Sequence, residues 1–311
     1  LTTRSVILVT VVMLLCAVGA TPAGAVRPQA QHGVSWQQAM AHNFRQFSAG
    51  VPLERANLWV SAAPGPTTWT HNISGSIKHG GDAKALDPLK WAIASQPNLP
   101  LSIGMQEACL GQVLLMTAWL REAKNPNYQV SFHNQNPGGC ANGQDFGVAV
   151  FAIGKLSEAH GAFAKANQFP GDEQRGFACI RSVYKYQACS AHMTPWQQLD
   201  GRGGVYQKKQ FQEMRDVVAW IHAATGDSVY WGGDFYLTPS GITNNFGAGF
   251  FADNPEGDIC FGAHRATHRR DDGLERKVDY VFRTKPVECG RDATVGWVLD
   301  WSDHALLGGY I

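Results

Sequence analysis

Apolar residues recur along the chain with two different periods, and the switches between them mark out its elements. Residues 36–47 place Trp36, Met40, Phe44 and Phe47 at helical spacing, and an Ala63-Pro64-Gly65-Pro66 turn follows. From residue 67 onward, short β-rich runs alternate with helical ones. Strands are expected at 67–73, 101–105 and 128–133, with helices at 83–95 and 109–122 between them. Residues 147–153, 176–184 and 187–193 read as further strands, and 207–224 as a long amphipathic helix. Strands at 228–231, 277–283 and the extreme C-terminus complete the pattern. Strands separated by helices, some of them joined as hairpins, predict an α/β fold of two packed sheets with outer helices. There is no internal repeat or low-complexity tract, so residues 67–311 are expected to form one domain behind a helical extension at 26–66.

The first 25 residues break this pattern. Arg4, an apolar run over 6–18 and Ala23-Gly24-Ala25 have the form of a secretory signal, which predicts a secreted, extracellular protein starting near Val26. The apolar run is shorter than the roughly 20 residues a bilayer span requires, so no stable membrane span is expected after cleavage. Without Arg4 the chain carries 25 basic and 25 acidic side chains, and bulk charge names no partner. Composition, 44% apolar and 16% charged over 311 residues, excludes disorder as the main theme. Past residue 25 the cysteines are Cys109, Cys140, Cys179, Cys189, Cys260 and Cys289, with no Cys-x-x-Cys pair. An even set in an exported chain fits disulfides better than zinc or redox chemistry, and sequential pairing is expected, most firmly Cys179 with Cys189. Free thiols are the alternative.

Ionisable and amide side chains gather at the C-terminal ends of the expected strands, where loops present functional groups on a rigid scaffold. They are Asn72, Glu107, His192, Asp234, Asp279 and the pair Asp303-His304. Oxygen donors of this kind suit a hard cation such as Mg2+, or Mn2+, whereas zinc would call for His or Cys sets. Each residue has a plain structural reading when taken singly. Asn72 suits an Asx turn, Glu107 a helix N-terminus, Asp234 a turn, and the histidines a satisfied core.

Taken together and in order, the segments Trp69-Thr70-His71-Asn72-Ile73, Gln106-Glu107, Ser190-Ala191-His192-Met193, Gly233-Asp234-Phe235, Val278-Asp279-Tyr280-Val281-Phe282 and Ser302-Asp303-His304 resemble the endonuclease/exonuclease/phosphatase superfamily. That superfamily includes DNase I, abasic-site endonucleases, the cytolethal distending toxin nuclease subunit and neutral sphingomyelinases. The resemblance covers residues 67–311. It implies a four-layer α/β/β/α sandwich and a metal-dependent hydrolase acting on phosphoric ester bonds. It also implies that Glu107, with help from Asn72, holds a divalent ion that acts as a Lewis acid on the phosphoryl oxygen, and that Asp303 orients the water or serves a second metal. Asp234 would orient or deprotonate the attacking water, and His192 and His304 would donate hydrogen bonds to phosphate oxygens. Asp279 would pair with His304 and keep it cationic.

Three positions depart from the pattern. Tyr236 stands where an asparagine usually follows Gly-Asp-Phe, Ser74 replaces an acidic residue found in some members, and no carboxylate near 132–136 is available to support His192. A nuclease would draw on Arg175, Arg265, Arg269 and Arg270 as phosphate contacts, although Asp271, Asp272 and Glu275 follow the basic loop. His264 and His268 are spaced like helical metal ligands but lack the accompanying glutamate. Phe246, Phe250 and Phe251 are the candidates for a lipid-facing loop of sphingomyelinase type. The favoured expectation is a monomeric phosphodiesterase acting on nucleic acid. Its alternatives are a phospholipid or inositol-phosphate hydrolase and a non-catalytic phosphate-ligand binding protein on the same fold. A serine esterase reading of Gly226-Asp227-Ser228 is disfavoured, because that block sits late in the chain and no Gly-x-Ser-x-Gly elbow exists.

Overall fold

The computed structural model describes residues 68–96, 99–164, 173–195, 205–239, 241–242, 266–269, 273–284, 294–296 and 302–309. The expected signal segment, the 26–66 extension, the Phe246, Phe250 and Phe251 loop, His264, Arg265, Arg270, Cys260 and Cys289 lie outside them.

The first half contains five strands, of which the first three are separated by helices: β1 (Thr68–Asn72), β2 (Ser102–Cys109), β3 (Tyr128–Asn136), β4 (Phe146–Ile153) and β5 (Lys155–Ala162). Between β1 and β2, a short 3-10 turn (Ala83–Leu86) leads into α1 (Asp87–Ala94), and α2 (Leu110–Ala123) follows β2. The second half contains β6 (Gly176–Ser182), β7 (Tyr186–His192), α3 (Val205–Thr225) and β8 (Ser228–Asp234). It continues through β9 (His268–Arg269), β10 (Glu275–Arg276), β11 (Asp279–Arg283), β12 (Thr294–Gly296) and β13 (Leu306–Gly309). A six-stranded sheet has the order β12-β13-β1-β2-β4-β3, and a five-stranded sheet the order β11-β8-β7-β6-β5.

Side-chain alternation along β4 shows how the layers form. Ala149, Phe151 and Ile153 join the core beneath α1 and α2, while Val150 and Ala152 point the other way and meet Ala178, Ile180 and Ala188 of the second sheet. A strand apolar on both faces must be covered on both. On the far side, Phe211, Met214, Val217, Val218 and Ile221 recur along one stripe of α3 and pack on Trp231, Phe235 and Phe282. Burial of this face is what holds α3 in place, and truncating Phe211 to alanine would cost about 3–5 kcal/mol. The layers are helix, sheet, sheet and helix, the four-layer sandwich expected from the sequence.

Strand β5 was not anticipated. Its burial alternates weakly and it lies at a sheet edge, so its sequence lacks the apolar periodicity of the inner strands. Two disulfides tie the described residues, Cys109–Cys140 and Cys179–Cys189. The latter joins directly opposed residues of the β6–β7 hairpin, as expected.

Between the sheets, the contact changes character along the strands. Apolar packing gives way to a polar cluster in which Gln106 Nε2 donates to Ser190 Oγ (2.8 Å) and to Thr70 Oγ1 (3.0 Å). Gly104 permits this approach, since a Cβ there would lie 2.8 Å from Ser190 Oγ. Beyond that cluster, at one end of the sandwich, lie the ionisable residues.

Candidate active site

Strand register brings together three of the expected residues. In the five-stranded sheet His192 pairs with Asp234 across the parallel β7–β8 ladder, and Asp234 pairs with Asp279 across the antiparallel β8–β11 ladder. Asp279 therefore opens its strand rather than closing it, as the sequence reading had supposed. Because β11 runs antiparallel to β8, its start reaches the same end of the sheet.

In the facing sheet, Asn72 ends β1 opposite Gln106 of β2. The β2–β4 ladder shifts register between Met105 and Ala108, and Glu107 within that irregularity has φ 54°. Bulges re-aim side chains, and a non-glycine residue in this region needs support from its surroundings. Here Asn72 provides it, its Nδ2 donating both to Glu107 Oε1 (3.0 Å) and to Asp234 Oδ2 (3.1 Å). The Asn72 amide thus links the two sheets at the site. Its Oδ1 accepts from Ser74 N (3.1 Å), so the Asx turn suggested by the sequence and the site role coexist.

His304 completes the centre. Its Nδ1 lies 2.9 Å from Asp279 Oδ2 and its Nε2 lies 3.5 Å from Asp234 Oδ2, and all three side chains are buried. Burial opposes charge on the imidazole, but the Asp279 and then the Asp234 carboxylate outweigh it and push its pKa up to about 10. Burial also holds the Asp234 carboxyl well above its usual range, with the His304 cation beside it working in the opposite direction. Asp234 thereby gains the proton affinity a base requires.

His192 is in a different state. Its Nδ1 is 3.0 Å from Gln135 Oε1, and both ring nitrogens contact Nη1 of Arg175. Burial, followed by the Arg175 and His304 charges, takes its pKa well below that of a free histidine, so the ring is neutral. The Gln135 contact places the ring proton on Nδ1, which leaves Nε2, and not Nδ1, to accept from the guanidinium. Arg175 is itself buried and paired with Glu173 (2.7 Å). Positive charge on this side of the site comes from Arg175 rather than from His192. Gln135 takes the supporting place for which no carboxylate was found.

Tyr236 also sits at the centre, with φ 50° and its N–H donating to Asp234 Oδ1 (3.3 Å). Burial and then the Asp234 and Glu107 carboxylates raise its phenol well above the ordinary range and keep it a donor. Asp303 is the more open carboxylate, with its side chain 33% exposed, and it lies 3.7 Å from Lys78 Nζ and 3.5 Å from His268 Nε2. Burial disfavours its ionised form, but His268, His304 and Lys78 together hold the carboxyl well below the usual range. Neither Lys78 nor His268 was among the expected site residues. His268 lies on β9 rather than on a helix, which removes the helical metal-ligand spacing with His264. Arg269 is exposed and paired with Glu275 (2.6 Å). Asp227 and Ser228 stand at the start of β8, the opposite end from Asp234, and Asp227 pairs with Arg181 (2.9 Å). That separation keeps Ser228 out of the cluster around Asp234.

Two triads among the described residues bring carboxylate and imidazole atoms within reach of one ion: Asp234, Asp279 and His304, and His268, Asp303 and His304. His304 belongs to both, and its two ring nitrogens already face Asp279 and Asp234. The donors that remain are oxygens. Glu107 is the best placed, since Oε1 faces Asn72 and His192 while, among the described residues, no group engages Oε2. This set fits a hard divalent cation.

No protein-family model matches the chain, and no curated protein sequence matches it. Solved structures do. A truncated Caenorhabditis elegans TDP2 superposes with a TM-score of 0.57 at 14% identity, covering 78% of this chain and 95% of that one. An endonuclease/exonuclease/phosphatase family protein from Leptotrichia buccalis matches with a TM-score of 0.57 at 16% identity, over 78% and 98% of the two chains. The mannosyl-6-phosphatase Bt3783 of Bacteroides thetaiotaomicron matches with a TM-score of 0.54 at 14% identity, over 78% and 98%. The chain has the DNase I-like fold of the endonuclease/exonuclease/phosphatase superfamily.

Proposed function

We propose that the protein is a secreted, divalent-metal-dependent phosphoesterase that hydrolyses a phosphodiester, with nucleic acid as its substrate class. The observation that carries this reading is the Asp279–His304–Asp234 array in register beside the Glu107–Asn72 pair. It sets a fixed cation and a buried base next to an oxygen-donor site.

Glu107, with Asn72 and Asp303, would hold the ion, which when bound supplies Lewis-acid polarisation of the phosphoryl group. Asp234, its carboxyl raised by burial, takes a proton from the attacking water. The His304 imidazolium, held by Asp279, stabilises charge developing on the phosphoryl oxygens through its Nε2–H. Arg175 adds positive charge from behind the neutral His192 ring, and the Tyr236 hydroxyl donates from the position beside Asp234. Two disulfides among the described residues support secretion. Arg265, Arg269 and Arg270 are the proposed outer contacts to a polyanion.

The fold hosts more than one kind of ester. A D. rerio TDP2 of this fold is complexed with a single-strand DNA product, whereas Bt3783 is a mannosyl-6-phosphatase. A phosphodiester in a lipid headgroup is the second reading, favoured by one observation. Ile77 is 83% exposed and adjoins Lys78, which reaches Asp303. The test is incubation of the purified mature protein with plasmid DNA, single-stranded oligonucleotide, sphingomyelin vesicles and an inositol polyphosphate, with Mg2+ or with a chelator. Chelator-sensitive cleavage of DNA is expected. Cleavage confined to sphingomyelin selects the second reading, and no cleavage of any of the four with Mg2+ or Mn2+ overturns both.

A further inference from the structure

Asp303 differs from the other carboxylates of the site. Asp234 and Asp279 are fully buried and cross-linked by neighbours, whereas the Asp303 side chain is 33% exposed and would turn freely without restraint. Two nitrogen-bearing side chains flank it on separate oxygens: Lys78 Nζ lies 3.7 Å from Oδ1 and His268 Nε2 lies 3.5 Å from Oδ2. The two are unequal. Lys78 is exposed on a flexible stem, where ion pairs are screened and weak. His268 is buried and its backbone is fastened to the site on both sides. Arg269 N donates to Asp303 O (2.8 Å), Ala305 N donates to Thr267 O (2.6 Å), and Thr267 Oγ1 accepts from the backbone N–H groups of Val278 (3.1 Å) and Asp279 (3.0 Å). The His268 ring also lies against His304, with centroids 4.4 Å apart and planes at 33°, and the Tyr236 ring meets both, at 6.0 Å from His268 and 6.2 Å from His304.

We infer that His268 is a positioning residue of this active site. It fixes the Asp303 carboxylate over the cleft through Nε2, and through ring contact it holds the face of His304 against the reaction centre. The inference rests on the phosphoesterase reading for its catalytic consequence, but the His268–Asp303 contact is independent of it. Asp303 is fixed by its neighbour on the β9 segment rather than by its own strand, because it precedes β13 in an irregular stretch.

The experiment compares wild type with His268→Phe, His268→Gln, Asp303→Asn and the His268→Phe/Asp303→Asn double variant, on the phosphodiester that wild type cleaves fastest with Mg2+. Phenylalanine keeps ring packing and removes the donor, while glutamine restores a donor near the Nε2 position. His268→Phe is expected to lower kcat about tenfold with KM within about twofold, and His268→Gln to recover most of it. The double variant should be no slower than Asp303→Asn alone, since both changes remove one interaction. Wild-type kcat in His268→Phe, or a loss that multiplies fully with that of Asp303→Asn, overturns the inference. If wild type cleaves nothing, the phosphoesterase reading fails and the positioning contact is decided by nitrogen-15 spectra of the imidazoles. A slowly exchanging His268 Nε2–H signal that is lost in Asp303→Asn supports the contact, and a signal that is absent, or unchanged by that substitution, overturns it.

Discussion

His304 Nδ1 lies 2.9 Å from Asp279 Oδ2, and both side chains are buried beneath the Asp234 carboxylate. The pair joins an irregular segment before β13 to the first residue of β11, so it adds a buried ion pair to the contacts between the two sheets. Replacing Asp279 with asparagine leaves a buried imidazole without its counter-charge, a change that costs about 3–5 kcal/mol. The alkaline limb of kcat, set in wild type by loss of the His304 proton near a pKa of about 10, is expected to move to lower pH in Asp279→Asn. An alkaline limb at the wild-type position would remove Asp279 as the source of the shift.

The same shift makes stability depend on pH. The folded pKa of His304, about 10, lies above the value near 6.5 of the unfolded chain, so its contribution is complete below about pH 6.5 and disappears as pH rises toward 10. The stability difference between wild type and His304→Gln, measured by urea denaturation, should shrink steadily over that window. A difference constant from pH 6.5 to 10 would contradict the ion pair.

Acid should act through other histidines. Burial lowers His71 and His133 to about 4, so each stays neutral in the fold while the unfolded chain takes up a proton below about pH 6.5. Their contribution is full above that pH and is lost as pH falls through 4. Among the described residues, neither ring nitrogen of the buried His71 makes a well-formed hydrogen bond. His71→Leu is therefore expected to flatten the decline of the urea midpoint between pH 6.5 and 4, and an unchanged slope would count against it.

Asp234 should separate activity from stability. Its carboxyl is held well above the usual range by burial, so ionisation at neutral pH works against the fold. Asp234→Asn is expected to lower kcat by about 10²–10⁴-fold and to unfold at the wild-type temperature or above it. An inactive variant with a much reduced Tm would show Asp234 to be structural instead.

The two disulfides should differ in value. Cys109–Cys140 spans 31 residues and Cys179–Cys189 spans 10. Loop-closure entropy makes the longer one worth about 1 kcal/mol more. Cys109 also caps α2 two residues after Glu107. Double serine replacement at Cys109 and Cys140 should lower stability more than the same change at Cys179 and Cys189, and it alone should raise the Mg2+ concentration needed for half-maximal activity.

Gln135, Arg175, Lys78 and His268 mark the boundary of what sequence could reveal about this site. Arg175 was expected to touch substrate but lies buried against His192, because β6 and β7 are neighbours whose register places it there. Gln135 reaches His192 from β3 of the other sheet, and no local pattern announces such a contact. Lys78 and His268 come from segments 225 and 35 residues away from Asp303 in the chain. A lysine in a turn and a histidine in a basic loop carry no mark of which carboxylate they will face.

By itself the sequence determined the layered α/β architecture, since apolar periodicity dictates which runs must be covered on one face and which on two. It also determined the identities of Asn72, Glu107, His192, Asp234, Asp279, Asp303 and His304 as chemical groups, and the Cys179–Cys189 bridge, which a hairpin makes local. Tertiary structure alone decided their states. Whether a histidine is a cation, as His304 is, or neutral, as His192 is, depends on the desolvation and charges that neighbouring strands bring to it. Those neighbours are set by strand order and register, and one residue of slip would turn each of these side chains to the opposite face.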